Sequence, residues 1–145
     1  MKTILTTAFI FYIILFSFAC TQNQTFSSEK QVISLLNNFY TSYITERSKM
    51  PEDFDKINSL KTKFLTQKLI TKIDTADIDE LDYDPFLNAQ YCDIEWLKTL
   101  IIRKESTDNN CFEITYQKNY FNTEKTSIKL IIIKQKDGFK IDSIL

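Results

Sequence analysis

From Val32 to Ile44 the apolar positions fall at Val32, Leu35, Leu36, Phe39, Tyr40, Tyr43 and Ile44, a three- and four-residue spacing that places them on one face of a helix. Ser28 offers an oxygen to the free amides of a helix start and Glu29 puts an acid in the first turn, so a helix of about 17 to 20 residues is predicted. Arg47-Ser48-Lys49-Met50 closes it. Pro51 at a first-turn position, followed by Glu52 and Asp53, predicts a second helix with the stripe Phe54, Ile57, Leu60 and Phe64. Thr66 is placed to cap a third, through Leu69, Ile70 and Ile73. Beyond Gln90 the period changes to two. Leu97 to Lys104, Cys111 to Lys118, Thr126 to Lys134 and Phe139 to Leu145 are rich in Ile, Thr, Phe and Tyr. Alternation shows in Phe112, Ile114 and Tyr116 and again in Ile128, Leu130 and Ile132. Polar turns at Asp108-Asn109-Asn110, Asn119 to Asn122 and Asp137-Gly138 separate these runs, the last being the strongest hairpin signal in the chain. Four consecutive strands with short connections imply an antiparallel meander whose apolar face the helices must cover, which makes the class α+β.

A second kind of pattern precedes all of this. Lys2 is followed by an apolar run from Ile4 to Ala19 that is too short for a membrane-spanning helix and has no basic flank after it. Residues 1–19 therefore read as a signal peptide. Ala19 directly before Cys20 resembles the lipobox of bacterial lipoproteins, in which the signal is cut before a cysteine whose thiol is then diacylated. Ser17 and Phe18 depart from the strict pattern, which leaves cleavage by the ordinary signal peptidase open. Acyl chains on Cys20 would hold the protein to a bacterial membrane at roughly 0.8 kcal/mol per buried methylene. The expectation is a membrane-anchored lipoprotein of the cell envelope, facing the periplasm or the cell exterior. Residues 20–28 would be the lipidated cysteine and a polar tether, and residues 29–145 a single α+β domain.

Composition narrows the chemistry. Histidine is absent from the 145 residues, which removes the usual general base at neutral pH, the Ser-His and Cys-His nucleophile pairs and the commonest nitrogen ligand for zinc or copper. The formal charge is -1, without the cationic excess that a nucleic-acid surface needs. No phosphate-binding glycine loop is available, because the one glycine is Gly138. Nothing calls for a cofactor. Beside Cys20 stand Cys92 and Cys111, which either pair in an oxidising compartment, closing a loop worth about 3 kcal/mol in the chain-entropy model, or remain two isolated thiols.

Four segments converge on a resemblance: Asn38-Phe39-Tyr40-Thr41-Ser42-Tyr43, Phe64-Leu65-Thr66-Gln67-Lys68-Leu69-Ile70, Asp82-Tyr83-Asp84-Pro85-Phe86-Leu87-Asn88-Ala89-Gln90, and Asp137-Gly138-Phe139-Lys140-Ile141-Asp142-Ser143-Ile144. Together they resemble a domain-of-unknown-function family of small bacterial lipoproteins with a nuclear-transport-factor-2-like, cystatin-like fold. The resemblance implies a long N-terminal helix lying in the concave face of a curved four-stranded antiparallel sheet, with a cone-shaped pocket between them. It implies no activity.

Candidate site residues follow from both readings. Asp84-Pro85 reads first as punctuation, Asp accepting the free amides of a helix start and Pro presetting the first helical position. The functional alternative places Asp82, Tyr83, Asp84 and Gln90 at the mouth of the cone with Tyr40 and Tyr43 on the helix beside them, as ligand-binding residues. Asp74, Asp77, Asp79, Glu80, Asp82 and Asp84 form an acidic concentration that fails the EF-hand template and reads as a solvated loop. Trp96 is either a core plug or a ligand platform, and the plug is favoured. Ser27-Ser28-Glu29-Lys30 matches a Ser-x-x-Lys pattern but lacks its companion motifs. The expected function is a non-catalytic module that binds a ligand or an envelope protein, and the alternative is a small carboxylate-based enzyme using Asp82, Asp84 and Tyr83.

Overall fold

The stripe from Val32 to Ile44 folds as predicted. In the computed structural model, which describes residues 28–75, 83–118 and 125–145, helix α1 covers residues 28–47 and ends at the basic segment where its stripe runs out. Leu36, Phe39, Tyr40 and Ile44 are fully buried along it. Helix α2 spans Phe54–Phe64. Its cap is Asp53, whose carboxylate accepts the Lys56 amide at 3.1 Å, while Pro51 stands outside the helix. The predicted start at Pro51 is thus corrected by three residues, to Phe54, because an Asp oxygen satisfies a free first-turn amide and a proline ring satisfies none. Helix α3 spans Gln67–Thr75, with the Thr66 hydroxyl accepting the Leu69 amide at 3.2 Å as its cap.

The sheet is a four-stranded antiparallel meander, β1 (Ile101–Lys104), β2 (Cys111–Gln117), β3 (Lys125–Gln135) and β4 (Gly138–Ile144), in the order β1-β2-β3-β4. Alternation sorts its two faces. Phe112 opposite Leu130, Ile114 opposite Ile128, and Ile132 opposite Ile141 bring apolar side chains together on the inner face. On the outer face Arg103, Glu113 and Lys129 stand side by side on successive strands. The β3–β4 register slips between Ile131 and Ile132, a bulge that bends the strand. At the hairpin, Gln135 pairs with Gly138 across a two-residue turn, and Gly138 has φ +127°, a conformation open to glycine alone.

One predicted strand is shorter than expected. Residues 94–99 form a 3₁₀ helix, Ile94–Thr99, so β1 begins only at Ile101. Asp93 causes this, its side chain accepting the Glu95 amide at 2.9 Å and its carbonyl the Trp96 amide at 3.1 Å. The helical turn drives Trp96 into the interior, where it is 2% exposed, stacks on Tyr116 at 5.0 Å and donates its indole N–H to the Lys118 carbonyl. Trp96 is a core plug.

Helices and sheet share one apolar core, and the α2–α3 junction is fastened directly to the edge strand β4. The Thr66 amide donates to the Ile141 carbonyl at 2.9 Å, and the Thr66 hydroxyl and Lys68 ammonium both donate to the Asp142 carboxylate. An edge strand covered in this way cannot add further strands along that stretch. Among the described residues no helix is long and apolar enough to cross a membrane.

Candidate functional site

The stretch read as a helix start is a turn. Pro85, Phe86, Leu87 and Asn88 fold back so that the Asp84 amide donates to the Ala89 carbonyl at 2.8 Å, and the Leu87 amide donates to the Asp84 carbonyl at 3.1 Å. The Asp84 side chain does cap, as read from sequence, but it caps this turn, its Oδ1 accepting the Phe86 amide at 2.9 Å. The chain needs a left-handed residue to close the turn, and Asn88 supplies it with φ 42°, a conformation that asparagine tolerates better than most residues. Phe86 and Leu87 at the tip are fully buried. Phe86 packs against Phe39 and Tyr43 of α1 at ring-centroid distances of 5.2 and 5.5 Å. The Tyr116 hydroxyl and the Lys118 ammonium donate to the Leu87 and Asn88 carbonyls. The turn is therefore pinned to α1 on one side and to β2 and its flank on the other.

This pinning fixes the carboxylate of Asp84, whose side chain is 4% exposed. Its Oδ2 accepts the Tyr43 hydroxyl at 2.8 Å and the Arg47 Nε–H at 3.1 Å. Arg47 uses a second nitrogen on Glu52 in the α1–α2 connection. The electrostatics follow. Burial, reinforced by the Asp84 charge and hydrogen bond, pushes the Tyr43 phenol far above its ordinary value. Burial works against the Arg47 charge, but Asp84, Tyr43 and Glu52 outweigh it and push the guanidinium up. Burial and then Asp84 push the nearby Cys92 thiol up to about 12. It therefore stays protonated at neutral pH and is a poor nucleophile.

Beside this ion pair lies a pocket of about 420 Å³ lined by Tyr43, Arg47, Phe54, Ile57, Asn58, Lys61, Ile73, Tyr83, Asp84, Pro85, Phe86 and Gln90. Its volume lies at the small end of the range for small-molecule sites. Of the residues read from sequence as ligand-binding, Tyr43, Tyr83, Asp84 and Gln90 meet in its wall. Tyr40 does not. It is fully buried in the core, where burial and then Tyr116 and Asp84 raise its phenol well above the ordinary value, and its hydroxyl finds no protein partner among the described residues. Asp82, with Asp77, Asp79 and Glu80 of the acidic run, lies outside the described residues, as do Cys20 and residues 21–27 of its tether, while Ser28, read as the tether's last residue, is the first of α1. Arg47, Asn58 and Lys61 belong to the pocket and were not singled out from sequence. Arg47 follows Tyr43 by four residues and so continues the α1 face, while Asn58 and Lys61 stand one helical turn beyond Phe54 and Ile57 on α2.

The Cys92–Cys111 pairing does not form. Both thiols are free, Cys111 buried at the start of β2 and Cys92 donating weakly to the Ile44 carbonyl at 3.6 Å. Cys92 sits against the backbone of α1, on the core side of the sheet, whereas Cys111 alternates with the inward-facing Phe112 and so stands on the other face of β2. A disulfide requires Cα atoms within about 7 Å.

No protein-family model and no curated protein matches the chain. The fold is similar to that in the crystal structure of a protein of unknown function from Bacteroides thetaiotaomicron VPI-5482. That protein is 24% identical, with a TM-score of 0.74 over 88% of this chain and 97% of the other. The likeness concerns the fold alone.

Proposed function

We propose that the chain is a non-catalytic binding module, held to the bacterial envelope through an acylated Cys20, that takes a small ligand in the pocket beside the 83–90 turn. The observation that carries this reading is the convergence of Tyr43, Tyr83, Asp84 and Gln90 on one concavity, with Asp84 engaged at both oxygens by Tyr43, Arg47 and the Phe86 amide. A carboxylate so occupied positions its neighbours and offers a reacting proton fewer free lone-pair directions than an unengaged one would. The alternative, a carboxylate-based enzyme using Asp82, Asp84 and Tyr83, is less well supported for that reason. The resemblance to small lipoproteins of unknown function belongs to this same proposal, and rests on the Asp82 to Gln90 stretch and the segments quoted with it.

A small-molecule set titrated into the isotope-labelled protein tests the pocket. Chemical-shift changes are expected at Asn58, Tyr83 and Gln90, and changes confined to the outer sheet residues Glu113, Ser127 and Lys129 would move the binding site to that face. The anchor has its own test. Cys20→Ser should move the protein from the membrane fraction to the soluble fraction and abolish incorporation of labelled palmitate; a chain that stays membrane-bound and unlabelled in both forms would exclude lipidation.

A further inference from the structure

The charges in the pocket wall are unequally committed. Among the described residues two cations, Arg47 and Lys61, and one anion, Asp84, line it. Asp84 already accepts three donors at 2.8, 3.1 and 2.9 Å, one of them the Arg47 guanidinium, so the only carboxylate in the wall among the described residues is ion-paired and largely occupied. Arg47 reaches Asp84 through Nε and Glu52 through Nη1, which leaves the Nη2 hydrogens of a guanidinium with five N–H donors. The Lys61 ammonium has no carboxylate partner among the described residues. Asn58 and Gln90 add side-chain amides that can donate N–H groups. The donors in the wall thus outnumber the acceptors.

The remainder of the wall is apolar and partly aromatic. Phe54 is 67% exposed and Tyr83 44% exposed, although Phe54 lies on a helix stripe whose other members are covered. A phenylalanine left open at the rim of a concavity contributes nothing to the core and presents a ring face to whatever enters. Ile57, Ile73, Pro85 and Phe86 continue this apolar lining.

Resting on the proposed binding role of the pocket, we propose that its ligand is an oxyanion, carboxylate or phosphate, carried on an apolar or aromatic body: the anion meets Lys61 and the uncommitted edge of Arg47, and the body lies on Phe54 and Tyr83. A cationic ligand would face two like charges and a carboxylate already bonded to three donors. A purely apolar ligand would leave the Lys61 ammonium to be desolvated without a partner.

Three probes of one shape separate the possibilities: phenylbutyrate, phenylbutanol and phenylbutylamine, titrated by NMR into the labelled full-length chain at low ionic strength. Phenylbutyrate should shift the amides of Asn58, Lys61, Tyr83 and Gln90 and bind roughly tenfold more tightly than phenylbutanol, the size of one charge-assisted hydrogen bond. Phenylbutylamine should bind most weakly. Phenylbutyl phosphate should also exceed the alcohol, and its order relative to phenylbutyrate identifies which oxyanion the site prefers. Lys61→Gln, at a partly exposed helix position, should abolish the preference for anions, so that phenylbutyrate binds no more tightly than phenylbutanol to the variant. Equal binding of the amine or the alcohol, or an anion preference that survives Lys61→Gln, overturns the assignment of an oxyanion and leaves the binding role standing. If none of the probes perturbs these residues up to millimolar concentration, both the oxyanion assignment and the binding role fall.

Discussion

Asp84 and Asp142 each collect three donors, yet one stands in a pocket wall and the other closes a seam. Asp142 accepts the Thr66 hydroxyl at 3.0 Å, the Lys68 ammonium at 2.7 Å and the Ser143 hydroxyl at 3.3 Å. Its main donors sit on the α2–α3 junction, which is already joined to β4 through the backbone at Thr66 and Ile141. The carboxylate there reinforces a contact that main-chain geometry has made. Asp84 draws one donor from its own turn and two from the end of α1, thirty-seven and forty-one residues away. It is the polar link between two segments that otherwise meet through rings. The partners differ too: the Lys68 side chain is mostly exposed, whereas that of Arg47 is mostly covered. Two similar hydrogen-bond sets therefore carry different energetic weight. Where the donors are desolvated, losing the acceptor strands them; where water can reach them, it replaces much of what is lost.

The sharpest way to break the comparison is Asp84→Ala. Tyr43 and Arg47 would be left without their shared acceptor in a poorly solvated site, and a loss of about 3 kcal/mol is expected from chemical denaturation. A loss below that of Asp142→Asn would mean that the turn holds itself by Phe86 and Leu87 alone. Next comes Tyr43→Phe, which removes one donor and leaves Asp84 with two. It should cost about 1.5 kcal/mol, a buried hydrogen bond to a charged group.

Tyr43 also predicts a pH signature. Its folded pKa lies above the value of about 10 for an unfolded chain, so its contribution is fully present below pH 10 and declines as pH rises and the unfolded state ionises first. The alkaline decline in stability should be shallower in Tyr43→Phe than in the unaltered protein.

Asp142→Asn should cost less, about 1 kcal/mol, and the cost should shrink in added salt because Lys68 is open to solvent. Its pH dependence has the opposite sense. The Lys68 hydrogen bond, aided by Thr66, holds the Asp142 carboxyl below its ordinary value. That contribution is present above the unfolded value of about 3.9 and is lost as pH falls through the folded one. Acid titration of the unaltered protein and the variant should therefore converge at low pH, and parallel curves would show that Asp142 contributes no linkage. The smallest effect is expected at Tyr40→Phe. The hydroxyl makes no hydrogen bond to the protein among the described residues, so its removal should cost no stability, in clear contrast with Tyr43 one turn along the same helix.

How much of this was readable in the chain depends on the range of the interaction involved. The α1 stripe, the Thr66 cap, the alternation in β2 and β3 and the Gly138 turn are local patterns, set by residues within a few positions of one another, and they appear in the structure where the sequence places them. Asp53 and Asp93 were equally local but were missed. Each competed with a stronger-looking neighbour, Pro51 in one case and the β-rich run from Leu97 in the other, and each won because its side chain reaches a free amide two or three residues on. Asp84 shows the limit. Its capping role was legible from Asp-Pro, but whether it would cap a helix or a turn depended on Phe86 and Leu87 finding room in the core.

The pocket lies beyond that limit. Tyr43, Tyr83, Asp84 and Gln90 were identifiable as a group, whereas the pairing of Arg47 with Asp84 and the arrival of Asn58 and Lys61 from α2 were not. Sequence by itself determined the elements, their faces and the polar residues that would have to be satisfied, because period, propensity and capping act over one or two turns of chain. Tertiary structure alone decided which polar groups satisfied each other, that Cys92 and Cys111 stay apart, and that Phe54 is left uncovered, because those outcomes depend on how helices and sheet pack across tens of residues of intervening chain.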